Sequence, residues 1–451
     1  MGLKSQVRTI VPEPVLGAYH RLLARAAARW YGNPSRSMRV IGVTGTNGKS
    51  STVQYIGRIL EKAGHRVGWT STVGFKVADR EWINDRKMTM LGRFQTQKLL
   101  KEMVDAGCEY AIVETSSQGI LQSRHVGIGY DVVVFTNLTP EHIEAHGGFE
   151  NYKREKGKLF SFTASLPMKM LKGKEVPRAA VVNLQDGHTP YFLSLWPGMT
   201  YGFGMEGRPM NKEAAARGGL IPILVHDLQI AKEGSTFVVD KQTFCLHPIG
   251  FFNVQNVLAA IGAVRALGLD WKTIAEGVAK LEPVPGRLEV IEEGQVFTVV
   301  VDYAYEPAAL RACYAALDLL PVRRRLQIVG STGGGRDVSR RSIMGSLAAR
   351  WADIVIVTNE DPYDENPGRI IEDVAAGARA AGKREGTDLF LIDDRAQAIR
   401  QAIALAEPGD LVLISGKGCE PVMAGPHGQK IPWDDRHVAR EALRMVMTTL
   451  H

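Results

Sequence analysis

Apolar and polar positions change rhythm at Arg39. Before it, Pro14 to Tyr31 puts Val15, Leu16, Tyr19, Leu22, Leu23, Ala26 and Trp30 on one helical face, with Arg21, Arg25 and Arg29 stacked beside it. The pattern predicts a basic amphipathic helix, packed on the main body or resting on an anionic membrane surface, and Asn33-Pro34-Ser35 ends it. From Arg39 onward short β-branched runs alternate with helical stretches, as in parallel sheets covered by helices. Strands are expected at Arg39 to Val43, Tyr110 to Val113, Val132 to Phe135 and Ala179 to Val182. Glu282-Pro283-Val284-Pro285-Gly286-Arg287 then breaks the series. A second set follows at Thr298 to Val301, Leu326 to Val329, Ile354 to Val357, Leu389 to Ile392 and Leu411 to Ile414. The reading is an α/β chain with a basic helical segment over 1–36 and two α/β domains, 37–285 and 286–451, without internal repeats.

With 451 residues, 45% hydrophobic and 23% charged, the chain can bury two or three cores, which agrees with that division. Its four cysteines are far apart and form no Cys-x-x-Cys pair, so neither a zinc ribbon nor a disulfide framework is expected. No apolar run reaches the roughly 18 residues of a membrane span, and no secretory signal is visible, so the expected location is the cytoplasm. The net charge of +7 is concentrated early: seven Lys or Arg against Glu13 between Met1 and Val40 leave about +1 for the rest. That distribution argues against a nucleic-acid protein, which spreads basic residues over its folded body.

The first expected strand runs into Thr44-Gly45-Thr46-Asn47-Gly48-Lys49-Ser50-Ser51-Thr52 and then a helical stretch from Val53 to Ala63. Glycines let backbone N–H groups turn toward phosphate oxygens, the helix presents its positive end, Lys49 adds a point charge and Ser50 a hydroxyl for Mg²⁺. The loop is a variant of the Walker form, with Val43 where the strict spacing has glycine. It implies ATP or GTP and nothing more specific. Glu114 ends the next strand, at the sheet rim where open α/β sheets bind ligands, and can hold a cation near the phosphates. His142 lies on the same rim after Val132 to Phe135, and Tyr152 to Lys158 offers several lysines among which the residues alone do not choose.

At this point the sequence resembles the Mur ligase family, most closely the MurE type, from about Arg39 to the C-terminus. The likeness is carried by Gly45-Thr46-Asn47-Gly48-Lys49-Ser50, Glu114-Thr115-Ser116-Ser117, Thr136-Asn137-Leu138, His146-Gly147, Phe252 to Asn256, Pro285-Gly286-Arg287, Val301 to Ala304, Gly334 to Asp337 and Ser415 to Glu420. The resemblance implies a central P-loop ATPase domain and a C-terminal Rossmann-like domain that brings an amino acid to a peptidoglycan precursor. The acceptor carboxylate would take the γ-phosphate of ATP to give an acyl phosphate, which the amine then attacks. Gly45, Thr46, Asn47, Gly48, Lys49, Ser50 and Ser51 would hold the phosphates. Asn253, Asn256, Arg287 and Asp302 would hold the rest of the nucleotide. Mg²⁺ would be held by Ser50, Glu114, His142 and a carbamylated Lys156. Thr89, Ser116 and Arg124 would hold the acceptor, and Arg336, Asp361, Gly416 and Glu420 the incoming amino acid. A monomer with a hinge near Pro285 to Arg287 is expected.

Three departures bear on the substrate. Only about forty residues precede the phosphate loop, too few for the family's uridine-nucleotide domain, so the acceptor is held differently or is another, such as a lipid-linked precursor. The Asp-Asn-Pro-Arg signature reads Glu360-Asp361-Pro362-Tyr363, which removes an arginine clamp for diaminopimelate and favours a basic amino acid, with diaminopimelate still open through Arg336. Tyr305 and Cys419 replace two of the family's histidines. The rival readings are a related ligase acting on folate polyglutamate or a polymer, and a non-catalytic nucleotide-binding subunit. Retention of Lys49, Glu114, His142 and Lys156 argues for an active ligase.

Overall fold

A computed structural model describes residues 13–140, 146–334 and 338–449. Helix α1 (Glu13–Trp30) precedes β1 (Arg39–Thr44), α2 (Lys49–Lys62), β2 (Val67–Thr70), β3 (Gly74–Val77), β4 (Arg80–Ile83), α3 (Arg93–Asp105), β5 (Tyr110–Glu114), α4 (Ser117–Leu121), β6 (Val132–Phe135) and α5 (Phe149–Ala164). A small hairpin, β7 (Lys169–Leu171) and β8 (Lys174–Val176), is followed by β9 (Ala179–Asn183), α6 (Thr189–Ser194), β10 (Met199–Met205), α7 (Lys212–Ala215), β11 (Leu220–Ala231), β12 (Gly234–Val239) and β13 (Gln242–Leu246). Two helices, α8 (Phe251–Ala266) and α9 (Trp271–Val278), complete this half.

The first sheet runs β13-β12-β11-β10-β9-β6-β1-β5-β2-β3-β4. Its middle, from β11 to β2, is parallel, and an antiparallel pair is added at each edge. The central strands are buried on both faces, which is why they read as continuous apolar runs rather than alternations. One face carries α2, α8 and α9, with Ile56, Ile59, Val257, Ile261 and Ile274 in its core. The other carries α3 and α5, with Leu100, Met103, Leu159 and Phe160.

The second sheet runs β14-β15-β19-β16-β17-β18, parallel except for its first pair. Its strands are β14 (Glu289–Ile291), β15 (Thr298–Asp302), β16 (Arg325–Val329), β17 (Ile354–Thr358), β18 (Leu389–Ile392) and β19 (Leu411–Ser415). Helices α10 (Pro307–Leu317), α11 (Arg340–Trp351) and α12 (Pro367–Ala380) cover one face, and α13 (Arg395–Leu405) and α14 (Asp435–Thr449) the other. A hairpin, β20 (Val422–Ala424) and β21 (Lys430–Pro432), sits between β19 and α14.

The predicted strands are all present, most of them one residue longer than expected. Helix α1 is present too, but its orientation corrects the expectation. Ala24, Ala27 and Ala28 form the buried stripe against α3 and Gly127, while Val15, Tyr19, Leu22 and Trp30 stay exposed. Small side chains allow the helix axis to approach closely; the larger apolar groups lie round the other side. The strands β2 to β4, β7, β8, β10 to β14, β20 and β21 escaped the sequence reading.

Candidate active site

The phosphate loop lies between β1 and α2, flanked by the ends of β5 and β6. Gly48 has φ 79°, and a Cβ there would come within 2.0 Å of Asn256 Oδ1 on α8, so the loop can pass this helix only as glycine. Several side chains hold it. Asn47 N donates to Asn137 Oδ1 at 2.8 Å, and the Thr46 hydroxyl lies 3.1 Å from the Tyr152 hydroxyl. Lys49 Nζ donates to the Thr46 carbonyl at 2.6 Å, folding its ammonium over the loop.

Beside the loop is a compact polar cluster. Glu114 is 1% exposed and accepts from the Ser50 hydroxyl at 2.8 Å and from the Thr72 backbone N–H at 2.7 Å. The Thr72 hydroxyl is 3.0 Å from Glu114 Oε1 and 2.9 Å from Thr89 Oγ1. Lys156, on α5, is fully enclosed: its ammonium donates to the Gly45 carbonyl at 2.6 Å and lies 4.5 Å from the centre of the Tyr152 ring. Ser50, Glu114, Thr89, Ser116, Lys49 and Lys156 all border one cavity of about 360 Å³. The far wall of that cavity belongs to the second sheet, with Asp302, Tyr303 and Tyr305.

Among the described residues two polar ties bridge the halves, beside the apolar packing of Ile249 and Phe252 on the core of the second half. Asn47 Nδ2 donates to Glu306 Oε1 at 2.9 Å, and Glu306 caps α10 by accepting from Ala309 N at 2.8 Å. Lys87, on the segment between β4 and α3, donates to both oxygens of Asp361 at 2.7 Å. Asp361 in turn accepts from Lys417 at 3.0 Å, and Glu420 accepts from the Tyr303 hydroxyl at 2.8 Å. Burial opposes the charge on Asp361, but Lys417 and Lys87 outweigh it and hold the carboxyl below its usual range.

The nucleotide residues expected in the second half surround the linker. The Arg287 guanidinium stacks 4.2 Å from the centre of the Tyr303 ring. Burial pushes the Asp302 carboxyl up, against Arg287 and the N–H of Leu288, which donates to it at 2.7 Å. Asn256 and Arg287 border the same cavity as the phosphate loop, whereas Asn253 borders a neighbouring cleft of about 440 Å³ that Arg287 also lines. Arg124 lies outside the main cavity and donates to Gln122 Oε1 at 2.7 Å and to the Met90 carbonyl. Asp361 and Glu420 share the Lys417 ammonium, and Gly416, the residue before it, lies against the Glu360 carboxyl. Burial pushes the Cys419 thiol up to about 11, so it is a neutral packing group against Gly286. His142 and Arg336 lie outside the described residues.

Sequence reasoning assigned no role to Thr72, Lys87, Tyr303, Glu306 or Lys417. Glu306 was legible as an acidic cap before Pro307. Tyr303 and Lys417 lie within the family-like tracts, and Lys87 has no sequence signal at all.

Two α/β sheets that meet over a glycine-rich phosphate loop, with a buried carboxylate beside the loop serine, define the class of a nucleotide-dependent enzyme. Known proteins narrow that class. Residues 43–264 match the Mur ligase middle domain and residues 286–418 the Mur ligase glutamate ligase domain. A UDP-N-acetylmuramyl-tripeptide synthetase of Roseiflexus sp. is 37% identical over 446 residues, covering 96% of this chain and 84% of the relative. A UDP-N-acetylmuramoyl-L-alanyl-D-glutamate–2,6-diaminopimelate ligase of Geobacillus thermodenitrificans is 36% identical over 96% of this chain and 84% of its own. A solved ligase of that same description superposes with a TM-score of 0.57 at 29% identity, over 91% of this chain and 79% of that one. FolC of E. coli, solved with ADP, gives a TM-score of 0.64 at 19% identity over 99% and 96%, a likeness of fold alone. The chain belongs to the Mur ligase family.

Proposed function

We propose that the chain is an ATP-dependent amide ligase of the MurE type, joining an amino acid to the carboxylate of a peptidoglycan precursor through an acyl phosphate. The observation that carries this reading is the 37% identity to a tripeptide synthetase over 96% of the chain, spanning both sheets. In this reading Lys49 and the loop N–H groups neutralise the β/γ-phosphates. Thr89, Ser116 and Arg124 orient the acceptor, so that its carboxylate oxygen can form a bond to the γ-phosphorus as ADP leaves. Asn253, Asn256, Arg287 and Asp302 hold the remainder of the nucleotide. Asp361, Gly416, Glu420 and Arg336 present the amine, which displaces phosphate from the acyl carbon. The halves supply position and charge, and ATP supplies the driving force.

Mg²⁺ fits the residues present. Ser50 and Glu114 put a hydroxyl and a buried carboxylate side by side on the cavity wall, hard oxygen donors suited to this ion. When bound, Mg²⁺ would neutralise phosphate charge there, with His142 and Lys156 as further contributors. Carbamylation of Lys156 would turn a buried cation into an anion on that wall, and intact-protein mass spectrometry after mild handling at neutral pH tests it.

The wider setting follows from the same reading. Among the described residues no helix is long and apolar enough to cross a membrane, and we place the enzyme in the cytoplasm as a monomer. The exposed outer face of α1, apolar along Val15, Leu22 and Trp30 and basic along Arg21, Arg25 and Arg29, would rest on anionic lipid. Co-sedimentation with phosphatidylglycerol vesicles, compared with phosphatidylcholine, tests that contact; equal recovery with both argues against it.

The activity test is phosphate release from ATP with UDP-MurNAc-dipeptide and each of lysine, ornithine and diaminopimelate. Amino-acid-dependent release and a tripeptide of the correct mass are the expected result. Silence with every amino acid, with ATP still bound, would move the acceptor to a lipid-linked precursor.

A further inference from the structure

Lys87 has two properties that an ordinary loop lysine lacks. Its side chain is 13% exposed and reaches from the first half of the molecule into the second. There it meets both oxygens of Asp361 at 2.7 Å and Glu420 Oε2 at 3.4 Å.

The pocket it enters already contains a cation. Lys417 is 1% exposed and donates to Asp361 at 3.0 Å and to Glu420, and its surroundings hold its ammonium firmly charged. Asp361 also accepts from the Ala424 N–H at 2.6 Å, and Glu420 from Tyr303. The two carboxylates therefore stay anchored without Lys87, and Asp361, Glu420 and Lys417 balance in charge only when a second cation joins them, while the neighbouring Glu360 carboxyl faces Arg395. Lys87 is the one that can leave: it is the more exposed of the two, and burial together with the neighbouring Lys417 works against its charge. It sits two residues from Thr89, whose hydroxyl is linked through Thr72 to Glu114.

We propose that Lys87 is a specificity-determining residue, a tethered ammonium that keeps the place between Asp361 and Glu420 for the distal ammonium of a diamino acid. A diamino acid displaces it like for like and leaves its α-amine free for attack. An amino acid without a second ammonium cannot displace it except by leaving the carboxylates short of a cation. This deepens the amide-ligase reading and rests on it.

The test is calorimetric binding of L-lysine, meso-diaminopimelate and L-norleucine to the full chain carrying Mg²⁺ and a non-hydrolysable ATP analogue. Wild type is compared with Lys87→Met, Lys87→Gln and Lys87→Arg. Removing the tethered charge should tighten one or both diamino acids about tenfold, the effect of about 1.4 kcal/mol of lost competition. Lys87→Arg, which keeps a cation, should stay near wild type, and norleucine should be unaffected in all four. Unchanged or weaker diamino-acid binding in both neutral variants overturns the proposal, as does an equal gain for norleucine or the absence of diamino-acid binding to every chain. Phosphate release is measured in parallel. If no amino acid supports it in the wild type, the ligase reading fails while the binding data still decide the role of Lys87.

Discussion

Glu114 concentrates the local argument. With Ser50 and Thr72 donating to it, its carboxylate cannot turn away from the phosphate loop. Glu114→Gln keeps the shape and removes the charge, so phosphate release should fall at least about a hundredfold while the fold, followed by circular dichroism, survives. Milder loss with unchanged Mg²⁺ dependence would remove Glu114 from the metal site. His125 makes a different prediction. Burial, with Lys158 nearby, pushes its imidazole down to about 4 from 6.5, and its ring packs edge-on against Phe162. The unfolded chain then binds a proton that the folded chain refuses. Stability is full above pH 6.5 and is lost progressively as pH falls toward 4, by about 3 kcal/mol at most. Denaturant titrations of His125→Phe should lack that share of the acid sensitivity.

Elements add what single residues cannot. Helix α1 sits so close to the body that a Cβ on Gly127, at φ 87°, would come within 2.8 Å of the Ala28 Cβ and 3.0 Å of the Ala24 carbonyl. Gly127→Val should lift the helix, cost about 1–3 kcal/mol and expose residues 31–37 to limited proteolysis. At the other end of the chain, Arg395 at the start of α13 is fully buried against Asp435 at the start of α14 at 2.7 Å, and also donates to the Ser415 carbonyl at 2.8 Å. Arg395→Met leaves the buried Asp435 carboxylate without its cation, with the Trp433 Nε1–H still donating to it at 2.8 Å, so the unfolding free energy should drop by about 3 kcal/mol. Elements were also the level at which the sequence spoke most clearly. Parallel strands buried on both faces announce themselves as apolar runs, and the readings stopped one residue short at Glu114, Asp302 and Ser415 because the strands end on polar side chains, the first two lining the cavity and Ser415 bonded within the second sheet. Strands β11 to β13 were missed because edge strands alternate buried and exposed residues irregularly. The inward face of α1 was misjudged because alanines, not the large apolar residues, make its contact. The phosphate loop and Glu114 were legible from local order alone, while Lys87 depends on a meeting of segments 274 residues apart.

At the scale of the molecule, the halves are joined by the linker, by the packing of Ile249 and Phe252 on the second core, and across the cavity by a few polar contacts. Glu306 is both a helix cap and the partner of Asn47, so Glu306→Ala should cost about 1 kcal/mol in stability and shift small-angle scattering toward a more open particle. A scattering profile that does not change, with or without ATP, would show that this tie does not govern closure. Among the described residues the two large sheets exchange no strand: the first ends with β13 at Leu246, and β14 opens only at Glu289. A nascent chain leaving the ribosome can therefore finish its first sheet, with the phosphate loop seated against α8, while the segment that will roof the cavity is still being translated. Translation thus completes the phosphate loop, the first sheet and α8 before the roof of the cavity, and a nucleotide held by that loop would stabilise the first half before the second exists.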